Sequence, residues 1–253
     1  MEYISISRIK TYLNCPMKYK LSYIDKVPKP FKPVGLAFGR VIHSTAEWLN
    51  RKLGEGEKPE FERVWRIFKS DWFALSQDNI NFGNSEGEDA LIEKARKMLG
   101  LLYNRQTNGV IIREVEMPFQ VELVDEQTGE ILPVPLRGVF DWVENDDTLA
   151  EMKTSARKFD TEVSTNRLQL AAYDYAYRKM FGKNPKIEVV DLVKTKEPKL
   201  LEMEVALDKS DTQNLLGSAR LFLTGVENGI FYPNKSFMCK NCEYRDICGI
   251  PVE

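Results

Sequence analysis

Residues 137–154 read RGVFDWVENDDTLAEMKT, two apolar runs joined by a polar turn. Each run carries ionisable residues where core residues are expected: Asp141 after Gly138, Val139 and Phe140, then Glu151 and Lys153 after Leu149 and Ala150. Buried charge is costly unless it is paired or bound to a metal. Side chains two apart on a strand share a face, so Glu151 and Lys153 lie together with Met152 opposite. A short hairpin at Asn145–Asp147 brings Asp141 beside Glu151. Two close carboxylates repel and raise one pKa. A divalent cation relieves that conflict, and oxygen ligands suit Mg²⁺ or Mn²⁺. Such an ion polarises a phosphate and lowers the pKa of a coordinated water, while Lys153 stabilises negative charge. The D-x9-E-x-K spacing is loose, and on its own it fits an exposed acidic face with a Glu–Lys pair equally well.

Outward from this hairpin the chain divides by periodicity. The first hundred residues read as helical: a helix capped by Ser5 or Ser7 near Pro16, a second following Gly39 with Ile42, Ala46, Leu49 and Leu53 on one stripe, a third over 60–75 and a fourth over 89–105, with a polar loop at 77–88. Residues 110–144 alternate in the manner of strands, with a turn at Asp125–Gly129. A helix over 165–180, strands in KIEVVDLVKT and LLEMEVAL, and a helix over 208–227 complete the order. This predicts an α/β fold of one domain, residues 1–253, with a mixed central sheet flanked by helices. Its parts are a mainly helical 1–108, a sheet core at 109–228 and a Cys-bearing 229–253.

The formal net charge is −2, with 43% hydrophobic and 29% charged residues, an ordinary balance for a globular protein. No apolar run approaches the roughly 20 residues of a membrane span, and the N-terminus lacks the apolar stretch of a signal peptide. The expectation is an intracellular, cytoplasmic protein with no membrane partner. Basic residues Arg8, Lys10, Lys18, Lys20, Lys26, Lys29, Lys32 and Arg40 are interleaved with Tyr12, Tyr19, Tyr23 and Phe31. That mixture suits a nucleic-acid backbone and its bases, although alone it reads as a solvated surface with a few buried rings.

The single histidine, His43 in GRVIHSTAE, is a candidate third metal ligand. Gln169 and Tyr173 are i and i+4 on one helical face. Glu47, Glu114 and Glu116 are further acids, read as surface or supporting groups. The ordered set Gly39–His43, Gly138–Asp141, Glu151–Lys153 and Gln169–Tyr173, with the opening SISRIKTYLNCPMKY, resembles the RecB-like branch of the PD-(D/E)XK nuclease superfamily. Phe140 stands where the family motif has Pro, a position that commonly varies in this branch. The resemblance implies a restriction-endonuclease-like core. It implies a metal held by His43, Asp141, Glu151 and the carbonyl of Met152, with Lys153 as catalytic lysine. Gln169 and Tyr173 would contact DNA or support the site.

Cysteines 15, 239, 242 and 248 form one distant thiol plus a C-x2-C-x5-C group. Two disulfides, a zinc site and an iron–sulfur cluster are the readings the residues leave open. The one-plus-three layout resembles the iron–sulfur nucleases of the same branch, among them CRISPR-associated exonucleases and the AddB nuclease domain. It implies a 4Fe–4S cluster, with structural Zn²⁺ the alternative. The expected activity is that of a Mg²⁺- or Mn²⁺-dependent DNA exonuclease acting on single-stranded ends in recombination, repair or CRISPR adaptation. Its partners would be DNA and a helicase, recombination or CRISPR adaptation protein, since the chain has no G-x4-G-K-[ST] phosphate loop. The rival expectations are a catalytically silent DNA- or partner-binding module and an RNA-processing nuclease.

Overall fold

A computed structural model describes residues 1–76, 79–83, 87–155 and 159–249, and the side chains of 159–165 are set aside. Parts of the predicted 77–88 loop and of the predicted C-terminal segment therefore lie outside the described residues.

Five strands form the main sheet: β3 (Ile112–Val121), β4 (Leu136–Glu144), β5 (Thr148–Ser155), β6 (Lys186–Val193) and β7 (Lys199–Glu204). They lie in sequence order, β3-β4-β5-β6-β7. Each pairing is antiparallel except β5 with β6, which is parallel. The parallel step needs a crossover, and α6 (Phe159–Phe181) supplies it. β5, which carries Glu151 and Lys153, is the central strand, because α6 returns the chain to pair β6 along its free side.

Two helical layers cover the sheet. On one side α6, α7 (Lys209–Glu227) and α1 (Ile6–Asn14) bury Tyr175, Leu215, Phe222 and Ile9 with Phe119, Phe140 and Leu149 of the strands. On the other, α3 (Val34–Gly54), α4 (Phe61–Ser76) and α5 (Glu88–Thr107) bury Phe38, Ile42, Phe68 and Leu99 against Trp142, Met152 and Val190. The short strands β1 (Lys32–Pro33) and β2 (Ile80–Asn81) pair in parallel beside α3. Of the two candidate caps for the first helix, Ser5 is the one used. Ser5 accepts from the Arg8 N–H at the start of α1, and Asp208 and Asp211 form a capping box for α7.

Two motif glycines are explained by close approach. Gly39 does not precede α3 as expected but lies inside it, and a Cβ there would meet Thr154 Oγ1 of β5 at 2.9 Å. Its lack of a side chain lets the helix carrying His43 sit against the central strand. At Gly138 a Cβ would come within 2.3 Å of the Phe119 ring. That ring packs against Phe140, centroids 4.6 Å apart. Gly138→Ala should force Phe119 out of place and cost roughly 1–3 kcal/mol. Urea unfolding of the variant beside the wild type would show it as a lowered midpoint, and an unchanged midpoint would contradict this packing account.

Candidate active site

Strand register builds the site. β4 and β5 pair Trp142 with Ala150 and Val143 with Leu149, so the next position sets Asp141 opposite Glu151. β3 and β4 pair Val115 with Trp142 and Met117 with Phe140, which sets Glu116 opposite Asp141 from the other side. Three carboxylates thus form a row across three adjacent strands. Like charges directly opposite on a sheet are destabilising.

The strands are distorted at this row. Residues two apart on a regular strand face one side, yet Val115 and Trp142 join the α3–α5 core while Met117 and Phe140 join the α6–α7 core. Glu116, between them, has φ +51°, a left-handed conformation that non-glycine residues seldom adopt. Both strands change faces where the acids stand, so groups from both helical layers reach the same carboxylates.

From the α6 side, Gln169 Nε2 donates to Glu151 Oε1 at 2.9 Å. Lys153 Nζ donates to the same Glu151 oxygen and to Gln169 Oε1, the latter at 3.2 Å. Tyr173 is buried, and its hydroxyl donates to the Val139 carbonyl at 2.7 Å. It braces β4 two residues before Asp141 and lies in the core, where a DNA strand does not reach. Burial, reinforced by the Glu151 and Asp141 charges, holds its hydroxyl well above the usual tyrosine range. From the α3 side, His43 Nδ1 lies 3.9 Å from Asp141 Oδ2. Desolvation lowers the His43 pKa, against an opposing pull from Glu151, which favours the neutral imidazole a metal requires. Asp141 Oδ2 accepts from the Met152 N–H at 2.9 Å. Burial first, then the Glu151 charge, push its carboxyl well above the usual aspartate range.

His43, Glu47, Glu116, Asp141 and Met152 line one small cavity. Among the described residues, no three His, Cys, Asp or Glu side chains are close enough together to hold an ion. The donor set nevertheless fits a divalent cation. Glu151 Oε2 is buried with no hydrogen-bond partner among the described residues, and three carboxylates face one ammonium. Glu116, expected as a surface or supporting group, lines this cavity. Its signal is a backbone twist and a cross-strand register, neither of which a glutamate in an alternating run discloses. Glu47 bonds Arg51 at 3.0 and 2.8 Å, and Glu114 is exposed on β3, paired with Val143.

No disulfide joins the four cysteines, and all four line a second cavity of about 30 Å³ together with Lys18, Leu21, Pro233 and Tyr244. Backbone N–H groups of Lys18 and Asn234 point at Cys15 Sγ, at 3.4 and 3.5 Å, and that of Ser236 at Cys239 Sγ, at 3.5 Å. Amide donors of this kind suit sulfur that carries charge. The Lys18 and Ser236 contacts are also helix caps, Cys15 at the start of the Pro16–Tyr19 turn of helix and Cys239 in a capping box with Ser236. In the basic N-terminal stretch, Tyr12 and Tyr19 are core residues packed on Phe222. Arg8 lies over the Tyr3 and Tyr23 rings.

Because the Asp141 carboxyl is raised in the folded chain, the metal-free fold binds more protons than the unfolded chain between the ordinary carboxylate range and the raised value. Its contribution to stability therefore falls as pH rises through that window. In the presence of a chelator, Asp141→Asn should be more stable than wild type at pH 7–8. The difference should shrink toward pH 4, as followed by urea unfolding. A difference that does not vary with pH would refute this assignment of the buried charge.

A crystal structure titled "Putative exonuclease" from Eubacterium rectale superposes with a TM-score of 0.61 at 15% identity, covering 100% of this chain and 91% of that one, a likeness of fold. The Gene 69 protein of Mycobacterium phage L5 is 36% identical over 85 residues, which span 31% of this chain and 28% of that protein. The family model for the PD-(D/E)XK nuclease superfamily matches residues 3–249. Its members generally use divalent metals such as Mg²⁺. The chain belongs to the PD-(D/E)XK nuclease superfamily.

Proposed function

We propose that the chain is a Mg²⁺- or Mn²⁺-dependent deoxyribonuclease that digests DNA from single-stranded ends. The observation that carries the metal-dependent reading is the buried, unpartnered Glu151 Oε2 in register with Asp141. His43, Asp141, Glu151 and the Met152 carbonyl would hold the cation. When bound, it polarises the scissile phosphate and lowers the pKa of water. Lys153 carries a positive charge beside Glu151 and compensates negative charge on the phosphate as it develops. Gln169 fixes that ammonium, since its side chain bonds Lys153 through Oε1 and Glu151 through Nε2. Tyr173 keeps β4 in place through the Val139 carbonyl.

The preference for single strands is supported by Tyr3, Tyr23 and Arg8, aromatic and cationic groups grouped outside the core where unstacked bases can lie. Digestion from ends agrees with the description of the Eubacterium rectale neighbour as an exonuclease. The four thiols are proposed to hold a 4Fe–4S cluster, with Zn²⁺ as the alternative occupant, supported by the N–H groups directed at sulfur. That cluster would fasten the C-terminal segment to the turn between α1 and α2 (Pro16–Tyr19). Participation in recombination, repair or CRISPR adaptation would bring in a helicase or another partner to expose the single strand.

End-labelled linear DNA, circular single-stranded DNA and matched RNA should be incubated with Mg²⁺ or Mn²⁺ and wild-type protein. Linear single strands should be degraded and circles spared. Lys153→Ala should lower kcat on the order of 10²- to 10³-fold, and Asp141→Ala should abolish cleavage. Equal cutting by wild type and both variants would reject the mechanism. Binding without cutting would favour a silent module, and preferential loss of RNA would move the substrate class to RNA.

Protein purified without oxygen should contain about four iron atoms per chain and absorb broadly near 400 nm, as charge transfer from sulfur to iron requires. A colourless protein with one zinc would replace the cluster assignment.

A further inference from the structure

Glu116 has no task in the proposed nuclease reaction, yet its placement is unusual in three ways. Register puts it directly across from Asp141, extending the acidic row to Glu116, Asp141 and Glu151. It lines the cavity that His43, Asp141 and Met152 also line. Its φ of +51° departs from strand geometry at the one point where β3 and β4 change faces. Residues held in sparsely populated backbone regions persist where the surroundings over-determine them, and they cluster at functional sites.

A purely structural acid would be expected to have a cationic partner here. Glu116 makes no hydrogen bond or ion pair with a described residue, and the nearby Arg51 is engaged by Glu47 through two bonds. Charge balance points the same way. Among the described residues the row sets three carboxylates beside the Lys153 ammonium, an excess of negative charge that a divalent cation would offset.

We infer that Glu116 is a further carboxylate ligand of the divalent-cation site, set opposite Asp141 by the left-handed kink in β3. The inference rests on the metal-site reading above and deepens it. It assigns the ion ligands from three neighbouring strands and one helix, with Asp141 at the middle of the row.

The test is titration of the full chain with Mn²⁺, followed by calorimetry and by the electron paramagnetic resonance of free Mn²⁺. Glu116→Gln removes the charge and keeps the shape. Glu116→Asn removes it with a residue that tolerates positive φ. Both should bind Mn²⁺ about 10- to 100-fold more weakly than wild type while unfolding in chelator at or above the wild-type temperature. Glu114→Gln, on the same strand and outside the cavity, should bind like wild type. Wild-type affinity in either Glu116 variant, or an equal loss in Glu114→Gln, would overturn the inference and leave the His43, Asp141 and Glu151 reading standing. Absence of Mn²⁺ binding by wild type would overturn both.

Discussion

Everything in the site follows from carboxylates facing one another across paired strands. Glu151 is in register with Asp141 on the central strand of a five-stranded sheet, and Glu116 stands on the far side of Asp141. A β-sheet interior is a poor place for such a row, because neighbours about 5 Å apart repel and water is scarce. The protein keeps it by distorting β3 and β4, so that both helical layers bring polar groups to it. Lys153 and Gln169 reach Glu151 from the α6 side, and His43 approaches Asp141 from the α3 side. The remaining mismatch is concentrated in the unpartnered Glu151 oxygen and the raised Asp141 carboxyl, which the proposed cation would relieve.

The packing around the row has the same purpose. Gly39 permits α3 to approach Thr154, and that approach fixes the distance between His43 and the strands. Gly138 admits Phe119, whose ring supports Phe140 and, at 6.1 Å between centroids, Tyr173. Both glycines belong to the ordered motif, and both act by letting large groups come close. The C-terminal segment is docked on the first helices by the protein's own bonds. Tyr12 donates to the Ile230 carbonyl, Tyr244 to the Val27 carbonyl, and Lys18 pairs with buried Glu243. Four thiols then meet in one cavity at that junction.

Much of this was legible in the sequence, for identifiable reasons. Helix and strand limits followed from caps, turns and periodicity: Ser5 before α1, the Asn145–Asp147 turn between β4 and β5, and the Ile42, Ala46 and Leu49 stripe of α3. The pairing of Asp141 with Glu151 followed from a short hairpin. Three things escaped because they depend on contacts between distant parts of the chain. The central position of β5 requires knowing where β6 returns. Gly39 looked like a boundary because glycine commonly ends or precedes helices, whereas its reason is Thr154, more than a hundred residues away. Glu116 sits in an alternating run, and neither its positive φ nor its register with Asp141 has a local signature. Tyr12 and Tyr19 are the buried rings expected within the basic N-terminal stretch.

The central claim is that the charged row is a divalent-cation site. Crystals grown with Mn²⁺ and measured at the manganese absorption edge test it without relying on activity or on a variant. The account predicts an anomalous peak among His43, Asp141 and Glu151, with Glu151 Oε2 turned toward it. Crystals with Mn²⁺ at other surface acids and no peak between these three side chains would contradict it.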